Sequence, residues 1–329
     1  MRHVIAMGNA KNVIITGGNG FIGANLARRM VKDGNRVHLF VRPGSDLWRV
    51  ESLRRQVRIH ETDLADAGGL ALLVRRIKPQ WLFHCAVYGA YSWQEDFQAM
   101  IKTNIAGTVN LVAACLKSDI EAFINAGSSS EYGAKGHPAV EEESLEPRSA
   151  YGASKAAATL LCRALAAQHG LPLTTLRFYS VYGPYEHPRR LIPRLVRYGL
   201  RGRLPLLAAP WAAHDFVYID DVVEACLLAA RKARSGKGEI YNVGSGRQLQ
   251  LREVVGVVRQ MMGITAKPRW GSMAQRSGDT PCWVADTVKI RKGLGWKPRY
   301  SFEEGLRGFV QWLSSDTSMR ELYYRRGGA

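Results

Sequence analysis

The chain has 329 residues, 46% of them hydrophobic and 9% aromatic, with a net charge of +18, which is enough to bury one large core or two smaller ones. No run approaches the roughly 20 apolar residues of a membrane helix, and the opening MRHVIAMGNAKN has no long apolar core before a small-residue cleavage site, so a cytoplasmic protein with no membrane partner is expected. The five cysteines are far apart and outside any CxxC or Cys/His pattern, which argues against a disulfide framework and a metal centre; the basic residues are scattered, which argues against a nucleic-acid groove and suits attraction of an anionic substrate.

Short apolar runs alternate with helical periodicity through the first half. Strands are expected at 13–16, 37–41, 57–61, 81–85, 122–126 and 173–177, and helices at 21–32, 69–77, 93–116 and 151–168. This alternation predicts an α/β fold, a doubly wound parallel sheet with helices on both faces. Past residue 179 Pro and Gly become frequent, helices are expected to shorten, and GEIYNVGSG reads as an isolated strand and turn. The expected organisation is a first domain at 11–178 and a smaller, partly interleaved substrate-binding region at 179–315. Segments near 214–245 would return to the first domain, 316–329 would be a tail, and its YYRRGGA end would be frayed.

The run VIITGGNGFIGANLARRM places Gly17, Gly20 and Gly23 between the first strand and the first helix. Glycines at this spacing let the backbone turn tightly and approach a pyrophosphate, with helix N-terminal amides facing it. A dinucleotide is therefore expected over Gly17, Gly20, Phe21, Ile22 and Gly23. The second strand then ends in Val41-Arg42, where an acid would hold the ribose hydroxyls of NAD. Arg42 suits a 2′-phosphate through a charge-assisted contact, so NADP(H) is favoured, with NAD(H) as the alternative; the plain reading of Arg42 is an ordinary exposed side chain. Asp63 is placed to reach the adenine, or simply shapes a turn.

YGASK sets Tyr151 and Lys155 four apart, on one face of a helix. A phenol titrates near pH ~10, and a neighbouring ammonium favours the phenolate, so the pair can act as an acid and base. Upstream, FINAGSSSEYG runs a strand into Ser128, Ser129 and Ser130 at the edge where parallel sheets bind ligands, although serines also serve as turn formers and helix caps. Asn104 is a polar residue on a mostly apolar helix face and could tie down the lysine or the local backbone.

The glycine turn, HCAVYG, TNIAGTVNLV, GSSSEYG, YGASK, LRFYSVYGP, HDFVYIDDVVEA, YNVGSG and GDTPCWVADTVKIRKGLGW together resemble the extended short-chain dehydrogenase/reductases of the nucleotide-sugar epimerase/dehydratase type, over about residues 12–313. The resemblance implies a Rossmann domain, a homodimer formed through the helices at 93–116 and 151–168, and a nucleotide diphosphate sugar as substrate. It implies a Ser–Tyr–Lys site in which Lys155 holds the nicotinamide ribose, Tyr151 exchanges the proton and Ser128 orients the sugar oxygen, with Ser129 as the alternate hydroxyl. Leu64 and Ala86 join the implied cofactor contacts beside Arg42, Asp63 and Asn104. Implied substrate contacts are Ser129, Ser180 in place of a usual Asn, His214 in place of a usual Arg, the diphosphate-binding Arg276, and Asp279 in its loop.

The family's 4,6-dehydratases carry an acidic pair, or Ser-Glu, directly after the catalytic hydroxyl. Here those places hold Ser129 and Ser130, with Glu131 one step too far along, which disfavours dehydration unless the loop is one residue shorter. The expected function is NADPH-dependent reduction of a 4-keto-6-deoxy nucleotide sugar at C4. The alternative is a C4 epimerase that retains NAD, and behind both stand a dehydratase and a non-catalytic cofactor sensor.

Overall fold

The computed structural model describes residues 10–234, 236–272 and 282–328. In the first half, β1 (Asn12–Thr16), α1 (Phe21–Lys32), β2 (Arg36–Val41), β3 (Val57–Glu61), α2 (Ala67–Ile77), β4 (Trp81–His84), α3 (Phe97–Met100), α4 (Gly107–Cys115), β5 (Ala122–Ser128), α5 (Ala150–His169) and β6 (Leu173–Phe178) follow one another. The second half contains β7 (Ser180–Tyr182), α6 (Leu191–Gly199), β8 (Ala213–Tyr218), α7 (Ile219–Arg231), β9 (Glu239–Val243), β10 (Gln248–Gln250), α8 (Leu251–Met262), α9 (Val288–Leu294), α10 (Phe302–Ser315) and α11 (Thr317–Gly327).

Seven strands make one sheet in the order β3-β2-β1-β4-β5-β6-β9, and a second sheet runs β10-β8-β7. From β3 to β5 the pairing is parallel, with Val13 opposite both Val37 and Trp81. The order reverses between β1 and β4, and such a switch point opens a crevice at the carboxyl ends of the two strands. The expected doubly wound sheet is thus present. β9, expected as an isolated strand, is instead the last strand of that sheet.

The chain divides into two compact units. One comprises Met1–Gly127, Ala153–Leu176 and Cys226–Ile240, the other Ser128–Gly152, Arg177–Ala225 and Tyr241–Ala329. The core of the first is built on Ile14, Leu82, Leu111, Phe123 and Leu173, all essentially inaccessible to water; full burial of such side chains contributes about 1.5–3 kcal/mol each. The second unit gathers segments from three parts of the chain, including residues 128–152, which the expected boundary at 178 assigns to the first domain.

Two further expectations are corrected. The single helix expected at 93–116 begins only at Phe97, where the Asp96 side chain accepts from the Ala99 amide at 3.0 Å. It then passes through a π-helical turn at Ile101–Ala106 before α4. Residues 317–327, in the expected tail whose YYRRGGA end is expected to fray, form α11. Asp316 caps it through the Met319 amide at 2.9 Å, and Arg197 donates to the Gly328 and Gly327 carbonyls at 2.5 and 3.1 Å. Tyr323 is 0% exposed and its hydroxyl donates to the Glu186 carbonyl at 2.7 Å. YYRRGG has too little apolar content to order itself, and it is the buried tyrosine and the captured carbonyls that hold it. Tyr323→Ala should therefore cost about 3–5 kcal/mol of the second unit's stability, read as a lower thermal transition, whereas truncation of a frayed tail would leave that transition in place.

Candidate active site

At the carboxyl ends of β1, β2 and β4 the first unit contains a cavity of about 190 Å³ whose lining includes Gly17, Asn19, Val41, Arg42, Asp63 and Ala86. Gly17 has φ +61°, and a Cβ there would lie 2.7–2.9 Å from the backbone of Cys85 and Ala86. A Cβ on Gly23 would collide with the Gly17 carbonyl oxygen. The Gly20 amide donates to that same carbonyl at 2.8 Å, and no side chain caps the start of α1. The first-turn amides of Phe21, Ile22 and Gly23 are thus presented at a positive helix end, the arrangement that accepts a diphosphate. Leu64 also lines the cavity.

Asp63 also lines the cavity and is held there by two hydrogen bonds. Lys102 donates to it at 2.8 Å and the Ala65 amide at 3.0 Å. These bonds, with the nearby charge of Arg42, hold its carboxyl below the usual range. Arg42 itself is exposed on the cavity wall.

Behind the cavity runs a buried line of hydrogen bonds. Thr108 Oγ1 gives its proton to the Asn104 carbonyl at 2.6 Å, so at the 2.9 Å contact with His84 Nε2 it must accept. His84 is therefore protonated on Nε2, and Nδ1 accepts from the Thr16 hydroxyl at 2.7 Å. Thr16 in turn accepts from the Ala86 amide at 3.2 Å, beside the glycine turn. Burial, followed by the charge of Lys155, pushes the His84 pKa down to about 3. Asn104 does not line the cavity. From the π-turn it accepts from the Tyr88 amide and donates to the Tyr88 carbonyl, both at 2.8 Å, and donates to Ser154 at 2.9 Å. It fixes the loop after β4 and the turn of α5 that carries Lys155, which is buried.

In the second unit β5 ends at Ser128, whose backbone (φ −147°, ψ 141°) turns into a short 3₁₀ segment, Ser129–Glu131. The Ser128 hydroxyl accepts from the Ser130 amide at 3.2 Å, and the Ser128 amide donates to Glu131 at 2.8 Å. Ser129, the alternate hydroxyl, accepts from the Trp283 indole at 3.1 Å. Tyr151 lies in the first turn of α5, with Lys155 one turn further along. A Cβ on Gly152 would come within 2.5 Å of the Ser130 carbonyl oxygen, so the Tyr151 turn packs directly on the serine turn.

Ser180 and His214 also meet, with Oγ 3.4 Å from Nδ1, where β7 and β8 pair. The neighbouring Asp215 gathers the amides of Ser245 (2.6 Å), Gly246 (3.0 Å) and Ala285 (3.0 Å). Arg276 and Asp279 lie outside the described residues.

Residues 13–244 match the NAD dependent epimerase/dehydratase family. The chain belongs to this family. It is 28% identical over 324 residues to a dTDP-glucose 4,6-dehydratase of Streptomyces griseus, spanning 94% of this chain and 96% of the relative. It is similar in structure to the UDP-glucose 4-epimerase of Thermotoga maritima solved with UDP-glucose (28% identity, 92% of this chain and 98% of that chain, TM-score 0.84). It is also similar to the dTDP-glucose 4,6-dehydratase of Bacillus anthracis in complex with NAD (26% identity, 96% and 100%, TM-score 0.85). This epimerase/dehydratase-family chain is thus an enzyme of the extended short-chain dehydrogenase/reductase type, and its relatives are nucleotide-sugar epimerases and dehydratases.

Several residues of this epimerase/dehydratase-family site are not picked out by reading motifs. His84 and Thr108 fall inside quoted motifs, but only the folded contacts join them to Thr16. Glu131 and Arg177, 46 positions apart, form a buried ion pair at 2.7 Å. Among the described residues no cluster of metal-ligating side chains occurs and no helix is long and apolar enough to cross a membrane.

The buried histidines give the stability a defined pH response. His38, bonded to His60 at 3.0 Å, is lowered to about 4 by burial and then by nearby positive charge, and His84 to about 3. Both are neutral when folded and titrate near pH ~6.5 when unfolded, so the unfolded chain binds more protons in acid. Their contribution is complete above pH ~6.5 and is lost as the pH falls towards 4 for His38 and 3 for His84, at up to about 1.4 kcal/mol per pH unit for each proton. Thermal transitions recorded from pH 7 to pH 5 (about the upper half of that window) should fall with acid, and His84→Gln should lose one proton's share of the slope; an unchanged slope would refute the assignment.

Proposed function

We propose that this chain reduces a 4-keto-6-deoxy nucleotide diphosphate sugar at C4 with NADPH. The observation that carries the reading is the cavity wall at the end of β2, where Val41 and Arg42 stand in place of a ribose-binding acid. A guanidinium there attracts a 2′-phosphate and offers the paired donors that suit it. NADPH, the usual reducing currency, supplies a hydride to C4 when bound.

The chain's own residues handle the proton and the position. Tyr151 gives its phenolic proton to O4 as the ketone becomes an alcohol. Lys155, one helical turn away, stabilises the phenolate left behind. Ser128 already accepts a bond from the Ser130 amide, so its own proton is available to donate to O4. Dehydration finds less support, because Ser129 and Ser130 hold the places of the dehydratase acids and Glu131 is fully buried and bonded to Arg177.

A second reading, a redox-neutral C4 epimerase, is favoured by the full-length similarity to the Thermotoga maritima epimerase. Incubation of dTDP- and UDP-4-keto-6-deoxyglucose with NADPH separates the two. Stoichiometric loss of nicotinamide absorbance, abolished in Tyr151→Phe, is expected for the reductase. Interconversion of C4 epimers of UDP-glucose with no net loss of cofactor would instead establish the epimerase.

Cofactor choice has its own test. Val41→Asp combined with Arg42→Asn should shift the kcat/KM ratio towards NADH by roughly ten- to a hundredfold, the worth of one to two charge-assisted hydrogen bonds. An unchanged ratio would withdraw the NADPH assignment.

A further inference from the structure

Glu131 directly follows the serine turn, one place out of register with the dehydratase glutamate, which makes it a candidate base. Its surroundings rule out that use. It is 0% exposed, and each carboxylate oxygen has a committed partner: Oε1 accepts from the Ser128 amide at 2.8 Å, and Oε2 accepts from Arg177 Nε at 2.7 Å. Arg177 is itself 1% exposed. It donates to the Tyr132 hydroxyl at 2.7 Å and the Glu141 carbonyl at 3.2 Å, with its guanidinium 4.5 Å from the Tyr132 ring centre. The Tyr132 hydroxyl donates to Asn242 at 2.7 Å, and the Asn242 amide to Glu141 at 2.7 Å.

Burying two charges costs several kcal/mol per ion, and a well-packed apolar pair often serves stability as well or better. This pair sits where β5 stops being a strand and Ser128 must be held. An amide bonded to a carboxylate is held more tightly than one bonded to a neutral acceptor, and the Ser128 amide and hydroxyl share one Cα. We propose that Glu131, locked by Arg177, is a positioning residue that fixes the backbone of Ser128 and so aims its hydroxyl at the substrate oxygen. The inference rests on the reading of Ser128 as the substrate-orienting hydroxyl. In this arrangement Glu131 transfers no proton; it acts only through Ser128.

A role exerted only through Ser128 makes a double-mutant cycle decisive. With dTDP- and UDP-4-keto-6-deoxyglucose and NADPH as substrates, Glu131→Gln should lower kcat by about ten- to a hundredfold, because a neutral amide cannot accept from both Ser128 and Arg177. KM for NADPH and for the sugar should stay within about twofold of wild type, since no group that touches either ligand is removed. In a Ser128→Ala background the same substitution should have almost no further effect. Factors that multiply across the cycle would overturn the proposal. If Glu131→Gln folds poorly, Glu131→Met with Arg177→Met removes both charges together and should fold; it should bind NADPH normally yet turn over slowly, and wild-type kcat in that stable variant would equally overturn the proposal. The two failures are distinct. A wild-type chain that turns over none of these sugars removes the functional reading and this inference with it, whereas loss of activity in Tyr151→Phe and Ser128→Ala alongside a multiplicative cycle removes only the role of Glu131.

Discussion

Polar groups packed behind the carboxyl ends of the strands have no water to bond, so each one dictates the position of whatever satisfies it. In the first unit this constraint is met by the line from Thr16 through His84 to Thr108 and the Asn104 carbonyl. Because every donor in that line has one acceptor, the proton positions are determined. In the second unit the same constraint is met by Glu131 and Arg177, with Tyr132, Glu141 and Asn242 completing the set. A site assembled this way tolerates little drift, since moving one member leaves another unpaired at a cost of about 1–3 kcal/mol.

The charges are arranged on the same logic. Net charge is strongly positive, and two carboxylates singled out above are occupied: Asp63 by Lys102 and Glu131 by Arg177. The cavity of the first unit is lined by Arg42 and by an Asp63 whose carboxylate is already bonded to Lys102. Such a field suits a ligand carrying phosphates, and it draws anions in before any specific contact is made. The two pairs differ in what they can contribute. Lys102–Asp63 is largely exposed and screened by solvent, whereas Glu131–Arg177 is inaccessible and its geometry matters more than its gross attraction.

Much of the fold was legible in local pattern. The β1 to β6 alternation and the glycine spacing are repeated, short-range signals, and they located those six strands and the glycine turn to within a residue or two. The end of β5 was expected at 126 and lies at Ser128, because nothing local tells a strand where its last partner is. α11 and the π-turn at 101–106 escaped for a related reason. Tyr323 is ordered by a carbonyl 137 positions away, and Asn104 by the Tyr88 backbone and Ser154.

The order of residue types by itself determined the alternating α/β architecture, the turn at Gly17, Gly20 and Gly23, and the presence of Ser128, Tyr151 and Lys155 as candidates, since each depends on periodicity or on spacing within one turn. Only the tertiary structure decided what Glu131 and His84 do. A carboxylate one place beyond the serines reads as a displaced base until Arg177, brought in from 46 residues away, takes one oxygen and the Ser128 amide takes the other. Burial and partnership are properties of the folded chain, and they turn a reactive side chain into a support.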